Sequence, residues 1–282
     1  MSLVTSKDML KNAQRGGYAV GAFNFENMEM AMAVISAAED LCSPVILQTT
    51  PSTVRYGNLE LFYSVVKCLA DRACIPIALH LDHGSSFEQC AGALRAGYTS
   101  IMIDGSKLPL EENILLTKSV AQMCNAVGIP VEGELGQVGG KEDDTESDGG
   151  GYTIPSEATV FERETGVSSL AVGVGTAHGF YPSTPVLNHE LISELKGILT
   201  VPMVLHGASG VSDEAVKDCI ERGICKVNFA TDLRAAYSEG VKAAIKEAPD
   251  VFDPKIYGKS GMTRVKELVK ARILVCGCGG KA

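Results

Sequence analysis

Eight short apolar runs, each followed by a stretch of helical spacing, predict a (β/α)8 TIM barrel for this 282-residue α/β chain. Two observations favour one barrel over two domains, with a doubly wound open sheet as the alternative. The length is near the ~250 residues usual for one barrel, and no change of composition along the chain marks a linker. Polar residues also recur where the runs end, at the rim where barrel enzymes keep their active sites. A single domain is therefore expected over residues 1–282, with an additional C-terminal helix at 261–275 ahead of a glycine-rich tail.

The runs, rich in Val, Ile and Leu, fall at residues 19–24, 44–49, 76–82, 100–104, 130–135, 168–174, 202–207 and 226–230. Helical spacing occupies 29–39, 59–70, 87–96, 112–127, 157–165, 189–196 and 212–222, and a further helix is expected after the last run. Gly97, Gly128, Pro130, Gly166 and Gly223 punctuate the joins. The longest irregular stretch, 136–151, follows the fifth run. A loop of that length in a compact barrel suits a lid, with glycines to hinge it and Glu142 carried over the site.

Composition narrows the function classes. A formal charge of -9 argues against nucleic acid or an anionic membrane as partner, so any phosphate must be bound locally. No apolar run approaches the ~20 residues of a membrane span, and residues 1–8 lack the order of a signal peptide. The expected location is cytoplasmic. Nine cysteines without a CxxC pair fit reduced thiols better than a disulfide framework, and Cys276 and Cys278 have no second pair to complete a metal site.

Alternation along the strands sorts the side chains. Ile77, Leu79 and Leu81 share one face, for packing on helices; Ala78, His80 and Asp82 share the other, pointing into the barrel. The same rule turns Met102 and Asp104, Glu132 and Glu134, Val204 and His206, and Asn228 and Ala230 inward. In each case the inward face carries a polar group near the strand's end. Five such ends at one rim describe a site.

His83, His178 and His206 each precede a glycine at the ends of the third, sixth and seventh runs. Three imidazoles can hold a divalent ion and leave one position open, as catalytic zinc sites do. His80 lies one layer deeper and is assigned a supporting or packing role, and His189 a solvated helix start. Asp104 and Glu134 can form an oxygen-rich cation position, orient the histidines, or be carboxylates satisfied by backbone donors. Asp82, beside a histidine ligand, suits a general acid or base. Small-residue turns at 206–210 and 228–232, each ahead of a helix, offer backbone N–H groups to a phosphate.

In chain order the sequence carries AFNF at 22–25, LDHG at 81–84, ELGQVGGKED at 134–143, GTAHG at 175–179, LHGASG at 205–210, KVN at 226–228 and VCG at 275–277. With these motifs it resembles the class II, metal-dependent ketose-bisphosphate aldolases along nearly its whole length, and is most similar to their tagatose-bisphosphate aldolase-like branch. That resemblance implies a catalytic zinc ion on His83, His178 and His206, with Asp104 and Glu134 holding a second or displaced metal. Asp82 would handle the proton on the aldehyde-derived oxygen and Glu142 the proton at the ketone's α-carbon. Gly179, Gly207, Ser209, Asn228 and Thr231 match positions that bind the dihydroxyacetone phosphate half, some of them near a monovalent cation, sodium or potassium. Asn24, Ala208, Phe229 and Ala230 complete the expected substrate-binding set, and Thr50 and Arg234 match a distal-phosphate site.

Two departures bear on the substrate, a phosphorylated ketose. Ala230 stands where fructose-bisphosphate members carry an aspartate that reads the C4 configuration, which tilts the expectation towards tagatose 1,6-bisphosphate or a less usual ketose. Arg234 can equally be an exposed helical arginine. The family further implies a homodimer or homotetramer. A Schiff-base aldolase is excluded at this level because Lys226 opens its run and no other run has an interior lysine. A barrel hydrolase would want an HxH pair on the first strand, where Phe23 and Asn24 stand. A non-catalytic sugar-phosphate sensor would not need Asp82 or Glu142.

Overall fold

In the computed structural model, which describes residues 3–142, 145–147, 151–179 and 185–282, helices and strands alternate from the first turn to the last. The chain opens with α1 (Ser6–Gly16), β1 (Val20–Asn24), α2 (Met28–Asp40), β2 (Val45–Thr49), α3 (Pro51–Gly57) and α4 (Leu59–Ala70). It continues through β3 (Ile77–Gly84), α5 (Phe87–Ala96), β4 (Ser100–Ile103), α6 (Leu110–Asn125), β5 (Val131–Leu135), β6 (Gly139–Glu142) and β7 (Thr145–Ser147). Then follow α7 (Pro155–Thr165), β8 (Ser169–Val172), β9 (Ala177–His178), α8 (His189–Ile198), β10 (Met203–Leu205), α9 (Asp213–Glu221) and β11 (Ile224–Phe229). Two long helices, α10 (Thr231–Glu247) and α11 (Pro254–Cys276), complete it.

Eight strands close into a parallel barrel in the order β1-β11-β10-β8-β5-β4-β3-β2. Phe23 pairs with Phe229 on one side and Leu47 on the other, so the first strand joins the last and no edge remains. Side-chain caps fix several helix starts. Asn27, Asn58, Ser86, Asn188 and Ser212 each accept from a backbone N–H three residues on, worth about 1 kcal/mol apiece. Left-handed glycines at 17, 97, 166 and 277 end four helices.

The alternation expected from the sequence separates two cores. Ile77, Leu79 and Leu81, with Ile101 and Ile103, belong to the large apolar layer between strands and helices. Met102, Ala171 and Val204 form a separate apolar cluster inside the barrel. Helix α1, not anticipated from periodicity, lies under the N-terminal ends of β3 and β4. Val4 N–H donates to the Ile77 carbonyl at 2.9 Å, and the Ser6 and Ser100 hydroxyls meet at 2.8 Å. Helix α11 begins at Pro254 rather than 261 and packs on α2 and α10. Among the described residues, no helix is long and apolar enough to cross a membrane.

Candidate active site and cation centre

The rim at the C-terminal ends of the strands gathers the singled-out histidines. His83, next to last in β3, takes a left-handed conformation (φ 50°), unusual for a residue with a Cβ. Gly84 follows because a Cβ there would stand 2.5 Å from the Met102 carbonyl oxygen, so this glycine serves strand packing. His206 follows β10, and Gly207 after it (φ 64°) leaves room for the Ala177 carbonyl. His178 is placed differently from the expectation. It sits six residues beyond the end of β8, on β9, where Gly140 of β6 pairs with it. The long excursion after β5 is thereby tied to the third histidine.

The three rings stand edge to face, with centroids 4.8 Å apart for His83 and His206, 5.1 Å for His83 and His178, and 6.1 Å for His178 and His206. One nitrogen from each lies within 4.8 Å of the others, and His83, Asp104 and Glu134 form a second such group. Hydrogen bonds on the far side of two rings say which nitrogens face inward. Asp104 Oδ2 lies 2.9 Å from His83 Nδ1, and Glu132 Oε1 lies 2.8 Å from His206 Nε2. Each carboxylate accepts the ring's N–H, so neutral rings turn lone pairs, His83 Nε2 and His206 Nδ1, towards each other at 3.0 Å. A shared cation makes that arrangement favourable, and three imidazoles, two of them held in orientation by carboxylates, fit zinc-type coordination.

Charge is arranged around this centre. Burial works against ionising Asp104, but the His83 ring and the Ser106 N–H and hydroxyl outweigh it and hold the carboxyl well below the usual range. Glu134 Oε2 is 3.7 Å from His83 Nδ1. Burial pushes the His206 imidazole down, leaving it the neutral form a metal ligand needs.

Asp82, 1 % exposed on the inward face of β3, takes three amide contacts. Asn24 Nδ2 and Gln48 Nε2 donate to Oδ2 at 2.9 and 3.1 Å, and Asn228 Nδ2 to Oδ1 at 3.2 Å. Gln48 was not singled out in the sequence, although alternation along 45–49 turns it inward with Ile46. Gln48 Oε1 and Asn228 Oδ1 are buried acceptors with no hydrogen-bond partner among the described residues.

Two cavities meet at His178. The larger, about 390 Å³, runs from His83, Asp104 and Glu134 past Thr50 to Arg55 and Lys107. The smaller, about 20 Å³, is lined by Gly179, Gly207, Ser209, Asn228, Ala230 and Thr231 together with Arg234. Ser209 Oγ accepts from the N–H groups of Ala230 and Asp232 at 3.3 Å, a cap supplied across the gap to α10, whose own N-cap Ala230 offers none. Thr50 and Arg234, expected together, line different cavities. Both connect to Glu26: Arg234 Nε donates to it at 2.7 Å, and so does the hydroxyl of Thr53, which lies 3.1 Å from that of Thr50. The Ala208 and Phe229 side chains are buried and line neither cavity; Phe229 stacks on Phe23 at 5.6 Å. Asn24 lies below the cavities, at Asp82. Glu142 ends β6, two residues past the Gly140–His178 pair, and its side chain lies outside the described residues, as do residues 143, 144 and 148–150 of the expected lid.

Two further expectations need correction. Lys226 is not at an outer strand end: β11 begins at Ile224, and the lysine, 1 % exposed, points into the barrel. Its Nζ donates to Glu132 Oε2 at 2.9 Å, and it lines neither cavity, so the amine is engaged below the site. His189 is not merely solvated, since its Nδ1 pairs with Asp218 Oδ2 at 2.5 Å.

A closed parallel barrel with three convergent histidines, flanking carboxylates and paired cavities at one rim has the arrangement of an enzyme that uses a divalent cation. Comparison with known proteins gives the family. Residues 4–281 match the model of class II fructose-bisphosphate aldolase, and the chain belongs to that family; it is an aldolase, a carbon–carbon lyase acting on phosphorylated sugars, with the divalent-metal dependence the family implies. The YdjI aldolase of Escherichia coli K12 is 37% identical and superposes with a TM-score of 0.88 over 99% of both chains. A putative fructose-1,6-biphosphate aldolase from Coccidioides immitis is 30% identical over 97% of this chain and 96% of its own, with a TM-score of 0.89. The fructose-bisphosphate aldolase of Campylobacter jejuni shares the fold at 23% identity, with a TM-score of 0.87 over 100% and 97% of the two chains.

Proposed function

We propose that this aldolase reversibly cleaves a ketose 1,6-bisphosphate of the tagatose or fructose type, or a related ketose 1-phosphate, to dihydroxyacetone phosphate and an aldehyde. Zinc is the proposed ion, on His83, His178 and His206. One observation carries the reading: the histidine cluster lies where a small glycine-rich cavity meets a larger one, with Asp82 beside it. The small cavity's turns suit a C1 phosphate on backbone N–H groups at the start of α10, with Arg234 adding positive charge. Arg55 and Lys107, lining the larger cavity, suit a second anionic group on the aldehyde half.

When bound, a zinc ion there supplies Lewis-acid polarisation of the ketose carbonyl. The rest is done by the chain. Asp82, aimed by Asn24, Gln48 and Asn228, accepts the C4 hydroxyl proton as the C3–C4 bond breaks, and returns it in the condensation direction. Glu142 delivers a proton to the α-carbon that cleavage leaves. Asp104 and Glu134 orient His83, and offer a second position for the metal. Ala230 places a methyl group, not a carboxylate, beside Asn228, which favours tagatose over fructose configuration. The same proposal includes a sodium or potassium ion beside the phosphate turns, a cytoplasmic location and a homodimer or homotetramer.

A coupled assay for dihydroxyacetone phosphate across ketose 1-phosphates and 1,6-bisphosphates tests this. Release from a 1,6-bisphosphate, with tagatose preferred, is expected; no release from any member by zinc-loaded protein contradicts it.

A further inference from the structure

The barrel interior below the site carries a buried ion pair where an apolar layer would serve stability as well. Glu132 and Lys226, 2 % and 1 % exposed, share that interior with Met102, Ala171 and Val204. Replacing such a pair with apolar side chains of similar volume is often neutral or stabilising, so burial alone does not account for it. What distinguishes Glu132 is how its two oxygens are used. Oε2 takes the Lys226 ammonium at 2.9 Å, and Oε1 takes His206 Nε2 at 2.8 Å.

An ionised carboxylate only accepts, so at 2.8 Å His206 Nε2 must carry the proton and Nδ1 is left with its lone pair towards His83. The neighbouring Asn228 Nδ2, 3.2 Å from the same Nε2, cannot donate to a protonated nitrogen; one of its two hydrogens goes to Asp82 Oδ1. Without Glu132 the ring could carry its proton on either nitrogen, and rotate. Without Lys226 the carboxylate would be an uncompensated buried charge. We propose that Glu132 and Lys226 are a positioning pair that fixes His206 with Nδ1 presented to the metal, Lys226 acting only through Glu132. This rests on the metal-site reading above.

The test separates positioning from packing. Full-length protein stripped of metal is titrated with cobalt(II), read by its visible ligand-field absorption, for wild type, E132L/K226M and E132Q/K226M. The apolar double variant keeps the volume and removes the acceptor; the second keeps a neutral acceptor oxygen for Nε2–H. Expected are a ~10–100-fold loss of cobalt affinity with an altered spectrum in E132L/K226M, and recovery of most of both in E132Q/K226M. Wild-type affinity and spectrum in E132L/K226M, or equal weakness in both variants, overturns the proposal. Should the apolar variant not fold, 15N-histidine NMR of zinc-loaded wild type decides. A proton on His206 Nε2 supports the assignment, and a proton on Nδ1 overturns it. Failure of wild type itself to bind cobalt would instead sink the metal-site reading.

Discussion

The site is built in two halves that the chain makes in different ways. One half stands on the barrel: Asp82 and His83 on β3, Asp104 just past β4, Glu134 on β5 and His206 just past β10. Their backbones are held by neighbours on both sides. The other half stands on excursions, with His178 on β9 and Glu142 on β6, joined to each other through one short parallel pairing outside the barrel sheet, Gly139 with Ala177 and Gly140 with His178. Strand-borne groups inherit the precision of a closed sheet. Excursion-borne groups depend on one another, so a change at Gly140 should reach a metal ligand that is distant in sequence.

Substitutions rank the two halves. His206→Ala should lose metal and cleavage together, on the order of 10³-fold or more in turnover. Asp82→Ala should retain the metal and lose ~10²–10⁴-fold in turnover; metal analysis of the two purified proteins checks this, and equal metal loss would show the roles to be misassigned. Gly140→Ala comes next. Its φ of 86° disfavours any side chain, and a Cβ would press on the His178 carbonyl oxygen. A metal affinity roughly tenfold weaker is expected with an unchanged melting temperature of the barrel. A fall in both would mean the excursion is part of the core.

A smaller effect tests the barrel floor. Burial, with Lys226 close by, holds the His80 imidazole well below its ordinary range. The folded protein therefore keeps His80 neutral while the unfolded chain takes up a proton near pH 6.5, so stability is lost as pH falls below ~6.5, by up to ~1.4 kcal/mol per unit. Wild type should show a steeper loss of stability between pH 6.5 and 5 than His80→Gln; parallel curves would contradict it. The smallest expected effect is none at all. Borohydride with substrate should leave activity intact, because the Lys226 amine is engaged by Glu132 and lines neither cavity.

The same contrast explains what the sequence revealed. Period-two alternation turned Asp82, Glu132, Glu134 and Asn228 inward without any knowledge of the partner strands, and the barrel follows from eight such runs. His178 lacked that support, since its placement comes from a pairing with a residue 38 positions earlier, which no local pattern encodes. Lys226 opens the apolar run at 226–230, but β11 starts two residues sooner at Ile224, which brings the lysine inside the strand. Gln48 was visible by alternation, but its role depends on Asp82 lying across the neighbouring strand. The glycines after His83 and His206 leave room for the backbones of Met102 and Ala177, and Gly207 also lines the smaller cavity.

The most direct measurement is dihydroxyacetone phosphate release by protein stripped of metal, before and after stepwise zinc addition. Release should be absent at first and complete at one zinc per chain. Cleavage that persists in metal-free protein would contradict the account at its centre.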